Sequence, residues 1–255
     1  MNDNKFYINK CISNAQTMHA DYYNDENIFK NSVKNVFTAS WKLVGHKTNF
    51  SNNIIPFTFL SNLLPYELLL TNNNNVYSCI SNVCTHRGHI LCNKNDDSKL
   101  LKCRYHGRTF ELCGKLKSAP GFEEVKNFPS KGDNLKSINM KNWNDFLFVS
   151  LGKGIDISGA LSDIESRLNN FPFSKLKHSS SLSSTYEIDA HWALYCDNYL
   201  EGFHVPFVHK GLSSEIKLSS YKTEILDNAV LQYADDIDGD GIYGYYYWIF
   251  PNLML

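Results

Sequence analysis

Between about Thr38 and Leu151 the chain alternates short apolar runs (SWKLVGH, VYSCISNV, KLLKCRYHGRTFEL, DFLFVSL) with clusters of Asn, Gly, Asp and Pro. Runs of that length between turn formers predict a many-stranded β domain. Residues 1–37 are polar and asparagine-rich, with Tyr22, Tyr23 and Phe29 scattered as on an amphipathic helical arm and no capping residue that stands out. Further along, apolar residues at 157, 161, 164 and 168 predict one short helix over Ile157–Leu168, with Ser162 and Glu165 in capping-box spacing near its start. HSSSLSS reads as a loop, STYEIDAHW as a strand, WALYCDNYLEGFH as a helix, and KTEILDNAVLQY and GIYGYYYWIFPNLML as one strand each. The expected organisation is an arm over 1–37, a β domain over 38–151 and an α+β domain over 152–255.

Composition narrows the function classes. The 255 residues carry 25 Lys and Arg against 26 Asp and Glu, a net charge of −1, which gives no electrostatic reason to expect nucleic acid or an anionic membrane as partner. The first ten residues lack the apolar core of a secretory signal, and the apolar runs are interrupted by Pro65, Glu67, Gly244, Pro251 and Asn252 before reaching the ~20 residues of a spanning helix. A cytoplasmic protein is expected. Seven cysteines spread over such a chain read as ligands and core residues, not as a disulfide framework.

Chemistry concentrates first in Cys84-Thr-His86 and Cys103-Arg-Tyr-His106, sixteen residues apart (87 to 102). Zinc could take two Cys and two His, but zinc fingers usually place both cysteines before both histidines. Here each loop holds one of each, the order a Rieske 2Fe-2S cluster needs, with two thiolates on one iron and two imidazoles on the other. NVCTHRGHIL and LKCRYHGRTF resemble the two cluster-binding loops of Rieske proteins, and Gly88 and Gly107 suit tight loops with positive φ. The resemblance assigns Cys84, His86, Cys103 and His106 as cluster ligands. Cysteines that would link the loops by a disulfide, as in respiratory-chain Rieske proteins, are replaced by His89 and Tyr105, which implies an oxygenase- or ferredoxin-type cluster. Cys92 and Cys113 then read as core thiols and His89 as a loop residue. Arg87, Arg104 and Arg108 cluster here, with Arg167 the only other arginine, so hydrogen bonding by guanidinium groups around the loops is one reading and solvated surface the other.

The second constellation is Asn198-Tyr-Leu-Glu201-Gly-Phe-His204-Val-Pro-Phe-Val-His209. On a helix Asn198, Glu201 and His204 form a polar row, with Trp192, Leu194 and Tyr195 on the buried face. His204 and His209 would sit about 140° apart on a continuous helix, so they converge only if Pro206 breaks or bends it. Two histidines and a carboxylate are the donors of a non-haem Fe(II) facial triad, yet His-x₄-His alone reads equally as core histidines. HWALYCDNYLEGFHVPFVH resembles the mononuclear-iron motif of Rieske non-haem iron oxygenase α subunits, the ring-hydroxylating oxygenases and the choline and carnitine monooxygenases. SWKLVGH, WNDFLFVSL and FPNLML agree, so the resemblance runs over roughly residues 38–255.

It implies a Rieske-type β domain followed by an incomplete antiparallel-sheet-plus-helix, helix-grip-like catalytic domain. His204 and His209 would be ligands of a mononuclear Fe(II), Glu201 the acidic bridge to a cluster histidine of a neighbouring subunit, and Asn198 a water-positioning residue, with Asp197 facing away. Glutamate at 201 leans toward the quaternary-ammonium branch. The implied cofactors and partners are a 2Fe-2S cluster, Fe(II), electrons from NAD(P)H through a flavin/iron–sulfur reductase or a ferredoxin, O₂, a small organic substrate and a homotrimeric assembly. The family's third iron ligand is an aspartate well over a hundred residues beyond the second histidine. The chain ends 46 residues after His209, and is expected to stop partway through the catalytic domain, to bind mononuclear iron poorly and not to turn over by itself. The acidic run Asp235, Asp236, Asp238 and Asp240 reads as a hairpin turn, because a calcium loop would place Tyr247 where a bidentate carboxylate is required. Aromatic residues Tyr245–Trp248 could line a pocket, but alternating strand aromatics are more often core. The alternatives are a Rieske ferredoxin-like electron carrier or an inactive fragment.

Overall fold

The computed structural model describes residues 5–239 and 241–255; the first four residues of the expected arm and Asp240 of the expected hairpin lie outside them. The chain divides into two compact units, one of 41–154 with 172–181, the other of the segments up to Ser40, 155–171 and 182–255.

The first unit is built of nine strands: β1 (Lys42–His46), β2 (Ile54–Phe59), β3 (Tyr66–Asn73), β4 (Val76–Ser81), β5 (Leu100–Lys102), β6 (Thr109–Glu111), β7 (Leu116–Ser118), β8 (Ser137–Trp143) and β9 (Phe146–Ser150). Six form an antiparallel sheet in the order β1-β9-β8-β4-β3-β2, and β5-β6-β7 form a small second sheet. Two-residue turns fix the register. Asn74 and Asn75 (φ 52° and 67°) join β3 to β4, and Asn144 and Asp145 (φ 45° and 67°) join β8 to β9. Asn and Asp tolerate this left-handed backbone, and paired positive φ values give the twist that a tight hairpin needs. In β3, Leu68, Leu69 and Leu70 are all buried, so both faces of that strand are covered. One core cluster gathers Leu69, Ile80, Leu101 and Phe110 together with Cys84 and Cys103, so the expected ligand thiols sit at the edge of a packed apolar centre.

The second unit holds helices α1 (Asp21–Asn24), α2 (Glu26–Ser32), α3 (Ser158–Arg167), α4 (Trp192–Tyr199), α5 (Val205–Val208) and α6 (Lys210–Glu215). Strands β10 (Lys222–Leu226), β11 (Ala229–Asp235), β12 (Ile242–Ile249) and β13 (Leu253–Met254) make an antiparallel meander in chain order. The arm does carry a cap: the Asp25 side chain accepts from the backbone N–H groups of Asn27 and Ile28. α3 buries Ala160, Leu161 and Ile164 as its periodicity predicts. Its start is held by Asp156 accepting from Ser158 N–H, not by the Ser162–Glu165 pair, which lies inside the helix. Asp163 of α3 accepts from Tyr247 Oη at 2.6 Å and pairs with Arg167 at 3.0 Å, tying helix to meander.

Three expectations are corrected here. STYEIDAHW is not a strand: Tyr186 and Ile188 are both exposed, they pair with no strand among the described residues, and His191 instead caps α4. KTEILDNAVLQY and GIYGYYYWIFPNLML each contain two strands, because Asp227-Asn228 and Pro251-Asn252 turn the chain. On α4 the buried residues are Ala193 and Cys196, while Leu194 and Tyr195 are exposed. Among the described residues no helix is long and apolar enough to cross a membrane.

Candidate metal centres

The loops after β4 and after β5 are built alike. In the first, Cys84 N–H donates to His89 O and Gly88 N–H to Cys84 O; in the second, Cys103 N–H donates to Arg108 O and Gly107 N–H to Cys103 O, all at 2.8–3.0 Å. Gly88 and Gly107 close the two turns with φ of 70° and 77°, backbone that a side chain would strain. Each turn thus presents one cysteine and one histidine. The thiols of Cys84 and Cys103 are buried and within hydrogen-bonding reach of one another. The rings of His86 and His106 lie 4.7 Å apart between centroids, His86 against Phe122 and His106 under Tyr105.

Electrostatics act differently on the two kinds of donor. Burial, reinforced by the neighbouring Cys103 thiol, pushes the Cys84 thiol up against the opposing pull of the His86 backbone and Arg108. Burial, then the positive charges of Arg108, His106 and Arg87, hold His86 below the usual imidazole range, which favours the neutral, ligating form. Nδ1 of His86 is buried without a hydrogen-bond partner. A buried orphan nitrogen costs free energy unless something else engages it, and beside two converging thiols that observation fits a 2Fe-2S cluster. Among the described residues no three His, Cys, Asp or Glu side chains are grouped so that they could hold one metal ion.

Of the remaining expectations around this centre, Cys92 is partly buried against the core, but Cys113 is exposed and faces Glu111, because its turn after β6 lies at the surface. Arg87 and Arg104 are exposed, whereas Arg108 is buried among the loops.

The second constellation folds differently from its helical expectation. α4 stops at Tyr199, so Glu201 stands in the connection and not in a helical row with Asn198. Gly202 follows directly, at a point where a Cβ would meet the Tyr221 ring at 2.5 Å. Pro206 begins a helix instead of ending one, in the first turn of α5, where a missing N–H costs little. His204 precedes α5 and His209 follows it, and their rings lie 5.0 Å apart. Glu201 Oε1 accepts from His204 Nδ1, and Oε2 accepts from the backbone N–H groups of Phe203 and His204. Burial works to raise the Glu201 carboxyl, but the hydrogen bonds from His204 and Phe203 outweigh it and hold the group below the usual carboxylate range.

A cavity of about 290 Å³ opens over this trio, lined also by Asn198, Tyr195, Tyr199, Tyr221, Tyr243 and Tyr246. Strand alternation turns Gly244 and Tyr246 toward it and sends Tyr247 to the α3 side, so β12 supplies both core and lining. Buried Gln232 braces the wall, accepting from Tyr221 Oη at 2.6 Å and donating to Tyr199 O at 2.7 Å. Asp197 accepts from Tyr23 Oη instead of lining the cavity. Sequence reasoning missed Gly202 and Gln232. The glycine inside EGFH could have been flagged as a close-approach site, but a lone glutamine in a strand carries no such signal.

Residues 40–129 match the family model described as "Rieske [2Fe-2S] domain". Chloroplastic choline monooxygenase of Arabidopsis thaliana is 27% identical over 263 residues, covering 96% of this chain and 62% of the relative. The carnitine monooxygenase oxygenase subunit of Escherichia coli K12 is 28% identical over 229 residues, 86% of this chain and 59% of the relative. A solved quaternary ammonium Rieske monooxygenase in complex with an inhibitor superposes with a TM-score of 0.76 at 23% identity, over 94% of this chain and 67% of that one. Naphthalene 1,2-dioxygenase from Rhodococcus sp. does so with a TM-score of 0.70 at 17% identity, over 93% and 64%. This chain therefore spans about 60% of the length of the curated relatives it matches.

Proposed function

The chain carries a Rieske domain and is homologous to the oxygenase subunits of choline and carnitine monooxygenases, and from that premise we propose that it is an oxygenase component that hydroxylates a small organic substrate. Cys84, Cys103, His86 and His106 would hold the 2Fe-2S cluster, and His204 and His209 a mononuclear Fe(II). Those groups supply one-electron storage and O₂ activation respectively when bound. The single observation that carries the reading is the Glu201–His204–His209 trio beneath a tyrosine-lined cavity. An electron carrier of the ferredoxin kind has no use for it.

The protein residues have separable tasks. Glu201, by accepting from Nδ1, fixes the His204 tautomer and leaves Nε2 with its lone pair toward a metal. The two backbone N–H groups on Oε2 hold the carboxylate in place while it does so. Tyr105, 59% exposed, with its ring tilted against His106 at 3.9 Å between centroids, offers the surface on which an electron donor reaches the cluster ligands. That donor would be a flavin/iron–sulfur reductase or a ferredoxin drawing on NAD(P)H, and the assembly a homotrimer in which Glu201 faces a neighbouring cluster histidine. Asn198, exposed at the cavity rim, would position water.

The cavity's tyrosine faces and the Glu201 carboxylate suit a cationic headgroup, since aromatic faces attract ammonium charge. The substrate class proposed is accordingly a quaternary ammonium compound. Incubating the cluster- and iron-loaded protein with reductase, ¹⁸O₂ and either choline or carnitine tests this. Label in the product that disappears in His204→Ala supports the reading, and unlabelled substrate with an intact Rieske EPR signal favours the electron carrier.

A further inference from the structure

Arg108 directly follows Gly107 in the second cluster loop. Its side chain is 5% exposed, one of the buried polar residues of its unit. The guanidinium lies over the faces of Phe122 and Phe128, 5.1 and 5.4 Å from the ring centroids. One Nη1 donates to Thr85 Oγ1 at 3.1 Å and stands 3.4 Å from Asp133 Oδ1, while Nε is buried without a partner. Thr85 separates Cys84 from His86, and its own hydroxyl donates to Asp133 O at 2.7 Å. Asp133 is anchored in turn by the Ser130 N–H and hydroxyl, both at 2.9 Å.

Arg108 therefore couples the two cluster loops through Thr85 and brings a permanent charge into a place where water is largely excluded. Among the described residues its counter-ion is Asp133, held at the long end of the hydrogen-bond range, so the charge is only partly neutralised, and in low dielectric a partly neutralised charge acts strongly on its surroundings. Phe122 contacts both Arg108 and the ligand ring of His86, which keeps the cation next to the ligands and out of solvent.

We propose that Arg108, with Asp133 as its counter-charge, is a positioning residue that sets the reduction potential of the 2Fe-2S cluster. This rests on the reading that the two loops hold that cluster. Uptake of one electron, from an electrode or a chemical reductant, adds one negative charge to the loops with no bond made or broken. The Arg108 cation stabilises the reduced form and Asp133 offsets it.

The test is redox titration of the cluster-loaded protein, followed by EPR, in the wild type and in Arg108→Gln, Arg108→Lys and Asp133→Asn. Arg108→Gln lowers the electron-partition constant roughly tenfold, which is 59 mV for a one-electron couple. Asp133→Asn moves the potential in the opposite direction, and Arg108→Lys stays nearer the wild type because the charge survives. Loosened loops alone would not give opposite signs. Equal potentials in all four proteins, or the same direction of shift in Arg108→Gln and Asp133→Asn, overturn the proposal. If Arg108→Gln does not assemble, Asp133→Asn decides: an upward shift supports it and any other result overturns it. A wild-type protein that takes up no 2Fe-2S cluster overturns the underlying assignment, a failure distinct from unmoved potentials.

Discussion

Glu201 accepts a hydrogen bond from Nδ1 of His204, three residues further along the chain, and takes two backbone N–H groups on its other oxygen. A carboxylate in that position orients the imidazole and raises its basicity toward a metal on the opposite nitrogen. Partners of this kind are typically worth about 10–100-fold in metal affinity. Glu201→Ala is expected to weaken anaerobic Fe(II) binding by that factor, and Glu201→Gln by less, because the amide oxygen can still accept. Equilibrium dialysis of the cluster-loaded protein against Fe(II) measures both.

Of the described glycines in the second unit, Gly202 leaves the least room for a Cβ. An added Cβ would meet the Tyr221 ring at 2.5 Å and its hydroxyl at 2.8 Å, and that hydroxyl is bonded to buried Gln232. Overpacking of a filled site typically costs about 1–3 kcal/mol. Gly202→Ala is expected to lower stability by that amount in urea unfolding and to reduce binding of substrate analogues in the adjoining cavity. Gly211→Ala, with nothing within 4 Å of the new Cβ, serves as the tolerant control.

Cysteines divide by environment. Cys84 and Cys103 are buried and face one another, whereas Cys113 is exposed and Cys92 bonds the backbone oxygen of Lys94. Cys84→Ser and Cys103→Ser should abolish the visible absorption and EPR of the reconstituted cluster. Cys92→Ser and Cys113→Ser should retain both, with Cys113→Ser changing stability by no more than about 0.5 kcal/mol, as surface substitutions do.

Asp133 gives the expected pH dependence. The Ser130 N–H and hydroxyl, and then Arg108, hold its carboxyl below the usual range against a smaller opposing effect of burial. A carboxyl whose folded value is depressed stabilises the fold fully above its unfolded value of about 3.9 and loses that contribution as pH falls through the folded value. The melting-temperature difference between wild type and Asp133→Asn should therefore be steady from neutral pH down to about 4 and shrink below it. A difference that grows on acidification would contradict the structure.

Much of this was legible from residue order because the informative features are local. The Cys-x-His and Cys-x₂-His loops, with Gly88 and Gly107 closing them, set their own geometry through hydrogen bonds within six residues. The Ile157, Leu161, Ile164 spacing likewise translated directly into a helix. What escaped were features decided by partners distant in sequence. Tyr186 and Ile188 alternate like a strand but pair with none among the described residues. Glu201 falls beyond the end of α4, and Gly202 beside it packs close against Tyr221, a neighbour distant in sequence. Arg108 stood out in the sequence, but its burial depends on Phe122, Phe128 and Asp133, which loop spacing does not bring into view.

The account rests on two distinct iron sites in one chain, and iron counted against acid-labile sulfide tests that most directly. The protein is loaded anaerobically, dialysed against a series of Fe(II) concentrations, and compared with His204→Ala and His209→Ala. Wild type should bind iron beyond its sulfide content as Fe(II) rises, while both variants stay at equal iron and sulfide with an unchanged Rieske spectrum. Iron equal to sulfide in the wild type at every concentration, or an excess that survives both substitutions, would contradict the assignment of His204 and His209 to a second metal.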